Sequence, residues 1–342
     1  MKRNKKGFTL IELLAVIVIL AIIALIAVPT IMGIINKANK SAFKDTAYGI
    51  ISAGELYFAE QQLELNGMSE AKKFNLTTDV NVEGGLQLKG EVPPEGTLVV
   101  NTQGQITLAI SNGRYCITKG YFDQDITVTE DYETCDLPEM KLSDLATTSE
   151  VLGITEVASC TTAGQKCPDL TPFAIQVNEE ETYKFYVLED DGNKVTLIMS
   201  ENIDEKSRWG SSSQGPTFAL SSLKSATTGW TNITEYSYTL ENDADPVGTN
   251  HENFYPNMLI ENVRARLPKY SDLQKFEDSN YILPQEFGMT SGTTGSYWLS
   301  TAWTSDASRA MYVTAYRGKN AIAVHDLNYN YNCIRPVITI SK

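Results

Sequence analysis

Histidine is nearly absent from this chain: His251 and His325 are the only two, and each is isolated in sequence. No spacing therefore suggests a zinc site or a catalytic triad. Basic side chains are in deficit, with 28 Lys and Arg against 42 Asp and Glu, a formal net charge of −14. That balance argues against an exterior that grips phosphate backbones, so direct nucleic-acid binding is not expected. An acidic surface by itself serves solubility. Lys and Arg are missing altogether between Lys6 and Lys37, and Leu13 to Val28 contains no polar side chain.

What stands around that gap is more specific. A basic leader, Met1-Lys2-Arg3-Asn4-Lys5-Lys6, runs into Gly7-Phe8-Thr9-Leu10-Ile11-Glu12 and then into the apolar run. As a helix, residues 8–35 would reach roughly 40 Å and cross a hydrocarbon core of about 30 Å. A secretory signal peptide would have a shorter apolar stretch, with its small-residue cleavage site after it. A plain anchor would account for the length and not for Glu12, a carboxylate that costs several kcal/mol in a membrane segment unless it is paired. The Lys/Arg bias places the leader in the cytoplasm and the chain beyond Lys37 outside.

This junction resembles the processing site of type IV prepilins over roughly the first sixty residues. The resemblance implies a membrane peptidase that cuts after Gly7 and methylates the new N-terminus at Phe8. It also implies that Glu12 neutralises the N-terminal ammonium of a neighbouring subunit during assembly. Pro29 matches a mid-helix proline of that family, where the helix melts locally in the filament; physically it removes one helix hydrogen bond and kinks or breaks the segment.

The expected fold class is α+β. A long pilin helix over 8–65, membrane-spanning over 8–35, lies on an antiparallel headgroup over 66–137, after a leader over 1–7. The apolar positions Ala38, Ala42, Phe43, Ala47, Ile50, Ile51, Gly54 and Phe58 follow a period near 3.6, and Asn66-Gly67 ends the helix. Strands are expected at Leu86–Leu88, Thr97–Val100, Gln105–Ile110 and Arg114–Thr118. Asn112-Gly113 between the last two is a hairpin signal. Cys116, in a strand-like stretch, is paired with Cys135 beyond an acidic loop, a closure contributing on the order of 3 kcal/mol. Cys160 and Cys167 flank a short loop suited to a local clip. Cys333 is left as a buried free thiol or as a partner for one of that pair.

Residues 138–169 read as a linker rich in Ser, Thr and acids, with one short helix near Lys141–Ala146. Beyond it, residues 170–342 hold enough apolar strand and all four tryptophans, Trp209, Trp230, Trp298 and Trp303, for a core of their own. The spacing predicts a hairpin, Tyr183–Glu189 and Lys194–Ser200, around a turn at Asp190–Asn193. Helices are expected at Thr217–Ser225 and from Ser271, where Ser271 and Gln274 form a capping-box pattern. Strands at Tyr297–Thr301, Arg309–Tyr316, Ala321–Asp326 and Ile334–Ile340 follow. Val195–Met199, Ala265–Pro268, Tyr297–Thr301 and Arg335–Ile338 together resemble the C-type-lectin-like fold shared by sulfatase-modifying-factor domains. That resemblance implies a scaffold rather than a ligand. The formylglycine-generating branch needs reactive cysteines, and Cys333 is solitary in its region. Arg266 and Arg335 are read as structural, satisfied by carboxylates or carbonyls.

Two segments are candidates for ligands. Glu241, Asp243 and Asp245 offer oxygen atoms that suit calcium, without the regular spacing of a calcium loop; no other cofactor is expected. Tyr329, Asn330, Tyr331 and Asn332 combine aromatic faces with side-chain amides, as adaptable recognition loops do. The expected protein is a filament subunit, minor or at the tip, and not itself an enzyme. Its partners are the prepilin peptidase, other pilin subunits, the membrane before assembly, and a glycan or surface protein. The alternatives are a pseudopilin of a secretion machine, or a membrane-tethered binding module or enzyme.

Overall fold

The computed structural model describes residues 10–64, 68, 71–211, 213–241, 255–278, 282–287, 296–302, 308–316, 319–330 and 332–342. The chain is mixed α+β and divides after Pro138 into two compact units. In the first, α1 runs from Leu10 to Glu64. Its second half buries Phe43, Ala47, Ile50, Ile51 and Ala53. The predicted stripe thus begins at Phe43, because Ala38 and Ala42 are exposed. Gly54 lets the helix come close to the sheet: a Cβ there would sit 3.0 Å from Ile106 and 3.2 Å from Leu98.

That sheet is an antiparallel meander of β1 (Lys72–Asn75), β2 (Glu95–Val100), β3 (Ile106–Ser111), β4 (Cys116–Lys119) and β5 (Thr127–Thr129), paired in chain order. Gly113, at φ 75°, takes the left-handed conformation that the β3–β4 turn demands. Leu86 and Leu88 are buried but form no strand; Leu86 joins Val80 through a single bridge. The expected disulfide between Cys116 and Cys135 ties β4 to the segment beyond β5.

The second unit opens with α2 (Leu142–Leu145) and β6 (Ala146–Thr147), then β7 (Pro172–Gln176), β8 (Thr182–Asp190), β9 (Lys194–Met199) and β10 (Ile203–Ser207). After α3 (Thr217–Ala226) come β11 (Tyr236–Leu240), β12 (Met258–Val263) and α4 (Tyr270–Gln274). The chain closes with β13 (Ile282–Leu283), β14 (Tyr297–Ala302), β15 (Arg309–Tyr316), β16 (Lys319–Asp326), β17 (Asn332–Ile334) and β18 (Val337–Ser341). One sheet has the order β18-β9-β8-β7-β6 and another β10-β17-β14-β15-β16-β13, with β11 and β12 paired apart. All pairings between these strands are antiparallel except β14 with β17.

Three expectations are corrected here. Residues 139–169 are part of this unit rather than a linker: Leu142 and Leu145 are buried, β6 pairs with β7, and Cys167 joins the core. Their Ser, Thr and acids cover the surface while a few apolar side chains point inward, so average composition misleads. The cap of α4 is not Ser271; the backbone N–H of Lys269 donates to Asp272 Oδ2 at 2.7 Å. The strand expected over Ile334–Ile340 is two strands, broken at Arg335-Pro336, where the chain passes from one sheet to the other.

Both arginines are built into the scaffold. Arg266 donates two bonds to the Asp272 carboxylate, at 2.6 and 2.9 Å. Arg335 is fully buried, donates through Nε to Asn202 Oδ1 at 2.8 Å and lies 4.3 Å from the Tyr297 ring centroid.

Candidate functional site

The helix Leu10–Leu63 is the one among the described residues long and apolar enough to cross a membrane. From Leu10 to Ile35 almost every side chain is exposed; Ala27 alone is partly covered. Water is a poor solvent for such a surface, so it must be covered by lipid or by other protein. Glu12 sits in the first turn, exposed. There the helix dipole favours a negative charge. The α-helix continues through Pro29 rather than breaking at it. Pro29 still has no N–H to donate, and the Thr30 hydroxyl donates to the Ile26 carbonyl at 3.2 Å one position on. Gly7 and Phe8 lie outside the described residues.

Residues 2–28 match the family model of the prokaryotic N-terminal methylation motif. The N-terminus is prepilin-like. The matched span contains Gly7, Phe8 and Glu12, and Pro29 falls one residue beyond it. Such a motif, followed by this helix, fits a membrane-anchored precursor of type IV pilin or pseudopilin kind. It also fits processing by a prepilin peptidase and assembly with other pilins. No curated protein and no solved structure matches the chain.

The distal candidates are only partly brought together. Tyr329 is half-buried, with its ring stacked on His325 at 3.8 Å. His325 meets Tyr312 edge-on at 5.6 Å, and Tyr312 meets buried Trp298 at 5.9 Å. Tyr329 thus ends an aromatic ladder that begins in the core. Asn330 is exposed, and Tyr331 lies outside the described residues. Asn332 is not a surface contact: it is fully buried in β17, with its Oδ1 accepting from the Ser296 hydroxyl. Of the calcium candidates, Glu241 is exposed, and Asp243 and Asp245 lie outside the described residues. No group of three metal-ligating side chains occurs among the described residues.

One polar cluster has no counterpart in the sequence reading. The Lys342 ammonium is buried against the Asp190 carboxylate, in a pair exposed by 0% and 1%, and also donates to the Gln165 carbonyl at 2.6 Å. Asp190 further accepts backbone N–H groups from Cys167 at 2.6 Å and Gly192 at 2.8 Å. Burial works to raise its pKa, yet the Lys342 hydrogen bond and the two backbone donors outweigh it and hold the carboxyl below its usual range. The pair adjoins the expected clip between Cys160 and Cys167, which leaves Cys333 buried. With the partners 152 positions apart, no local pattern announces them.

Proposed function

We propose that this chain is a subunit of a type IV pilus-like filament, held in the membrane by α1 before assembly and exposed at the cell surface afterwards. The observation that carries this is the uncovered apolar helix directly following the methylation motif, with one carboxylate in its first turn. Cleavage after Gly7 gives an N-terminal ammonium at Phe8, and Glu12 of an adjacent subunit neutralises it inside the helical bundle. Removing one partner of such a pair costs about 3–5 kcal/mol.

The second unit makes a minor or tip position the better reading, because a bulky added body is hard to repeat along a tightly packed filament. We read that unit as a lectin-like recognition domain and not an enzyme. Support comes from the strand motifs around Val195, Ala265, Tyr297 and Arg335, and from half-buried Tyr329 at the end of the aromatic ladder with exposed Asn330 beside it. Its ligand class is a glycan or a surface protein.

Mass spectrometry of assembled filaments tests the central claim: the mature chain should start at methylated Phe8, and an intact Met1 terminus would sink the assignment. Glu12→Val should leave insertion and processing intact and lower incorporation at least tenfold by immunogold counting of sheared filaments. Normal incorporation beside wild-type subunits would show that Glu12 is no assembly contact.

A further inference from the structure

At the point where α1 leaves its uncovered apolar stretch, positive charge converges. Lys37, Lys40 and Lys44 follow Ile35 at spacings that put them on one side of the helix. The turn between β3 and β4 brings Arg114 to the same place: its Nη2 donates to Asn36 Oδ1 at 2.7 Å. Beneath these cations lies Tyr115, a buried ring, with Lys40 Nζ 5.9 Å and Arg114 Cζ 5.5 Å from its centroid. Attraction to the shared ring offsets part of the repulsion between the two cations.

Arg114 and Tyr115 also wall an open cleft of about 320 Å³, closed on its other sides by Phe43, Thr46 and Pro93. Glu91 contributes the one carboxylate in that lining, and Asp45 follows Lys44 in sequence. Neither neutralises the cluster: among the described residues, Lys37, Lys40, Lys44 and Arg114 form no ion pair. In a chain of net charge −14, Lys40 and Arg114 over one ring, with Lys37 and Lys44 one helical turn to either side of Lys40, form a local positive patch that attracts an anion.

Their level along the helix identifies it. From Leu10 to Asn36 α1 rises roughly 39 Å, and a bilayer with its headgroups is about 40–45 Å thick. With the processed end at the inner face, Asn36, Lys37 and Lys40 arrive in the headgroup layer of the opposite leaflet. We propose that Lys37, Lys40 and Arg114, the last two seated over Tyr115, bind the phosphate headgroup of an anionic phospholipid there, fixing the depth of the precursor until it is drawn into a filament. This rests on the membrane-anchored reading above. A guanidinium fork suits two phosphate oxygens, and the lysines add point charges beside it.

The test uses the full-length precursor in nanodiscs of phosphatidylcholine and phosphatidylglycerol, with co-purifying lipids counted by native mass spectrometry after detergent exchange. Each cation near an anionic surface contributes roughly fivefold. The wild type should retain phosphatidylglycerol over phosphatidylcholine by about a hundredfold, beyond what the basic leader holds in every variant. The K40Q/R114Q double variant should lower that ratio about 25-fold, and the K40R/R114K exchange should largely preserve it. Lys37→Gln, exposed and remote from the Tyr115 ring, should lower the ratio about fivefold without disturbing packing. Equal retention of the two lipids by the wild type, or an unchanged ratio in K40Q/R114Q and K37Q, overturns the proposal. Displacement of the lipid by inorganic phosphate also overturns it, assigning the cluster to a free anion. Insertion is scored separately, by co-elution with the nanodisc. A wild type that does not insert overturns the membrane-anchored reading and this inference together.

Discussion

In the first unit, residues Leu10–Ile35 hold their apolar side chains out, whereas in the second Trp209 and Trp298 are fully buried and even Arg335 and Lys342 are drawn inside. Fully burying one Leu, Ile or Val side chain is worth about 1.5–3 kcal/mol, so the uncovered helix forgoes a large stabilisation that its own chain does not supply. The difference separates two ways of satisfying one requirement. The first unit is completed by its surroundings, lipid or neighbouring helices. The second is completed by itself, down to a carboxylate and an ammonium that find each other across the sheet formed by β18, β9 and β8.

The sharpest break of this comparison is to separate the halves. Residues 139–342 alone should be soluble and melt in one cooperative transition, while the full chain should require detergent or lipid. Aggregation of the isolated fragment in size-exclusion chromatography would show that its core is not self-sufficient. Next in size is the buried ion pair: Lys342→Met should destabilise that fragment by about 3–5 kcal/mol in urea melts, because Asp190 is left charged and buried. The sign of the pH effect follows from the depressed folded-state pKa of Asp190. Its contribution is present above the unfolded-state value of about 4 and is lost as pH falls through the lower folded value. Wild type and Lys342→Met should therefore converge in stability in strong acid, and a constant gap down to pH 2 would contradict this.

A smaller loss is expected from the clip. Replacing Cys160 and Cys167 by Ser should cost roughly 2.5 kcal/mol, the chain-entropy value for so short a loop. A change within 0.5 kcal/mol would mean that the buried pair beside it holds the loop alone. Smallest is Tyr329→Ala, expected to cost about 1 kcal/mol through loss of the stack on His325. A loss above 3 kcal/mol would make Tyr329 a core residue and remove it from the recognition surface.

Much of the local structure could be read in advance because its causes are local. Asn112-Gly113 marks the β3–β4 turn since few residues accept positive φ, and Gly113 takes it. The hairpin of β8 and β9 turns at Asp190–Asn193, where Gly192 has φ 99°. Other features misled for equally physical reasons. Asn332 shares the alternating composition of Leu327–Tyr331, but pairing with β10 and β14 buries it. Residues 138–169 scatter their apolar side chains among Ser, Thr and acids without a strand or helix period, and Leu142, Leu145 and Cys167 join the core with Met140, Ala146, Ala158 and Cys160 packed against it.

What the sequence determined by itself lies mostly in the first unit: a basic N-terminal segment, a prepilin-type methylation motif and an apolar helix long enough for a membrane. These depend on neighbours in the chain and on the solvent around it. Tertiary structure alone decided that Asp190 meets Lys342 and that Arg114 joins Lys40 over Tyr115. Contacts between residues tens to hundreds of positions apart leave no periodicity behind them; they exist only once the sheets that bring them together have formed.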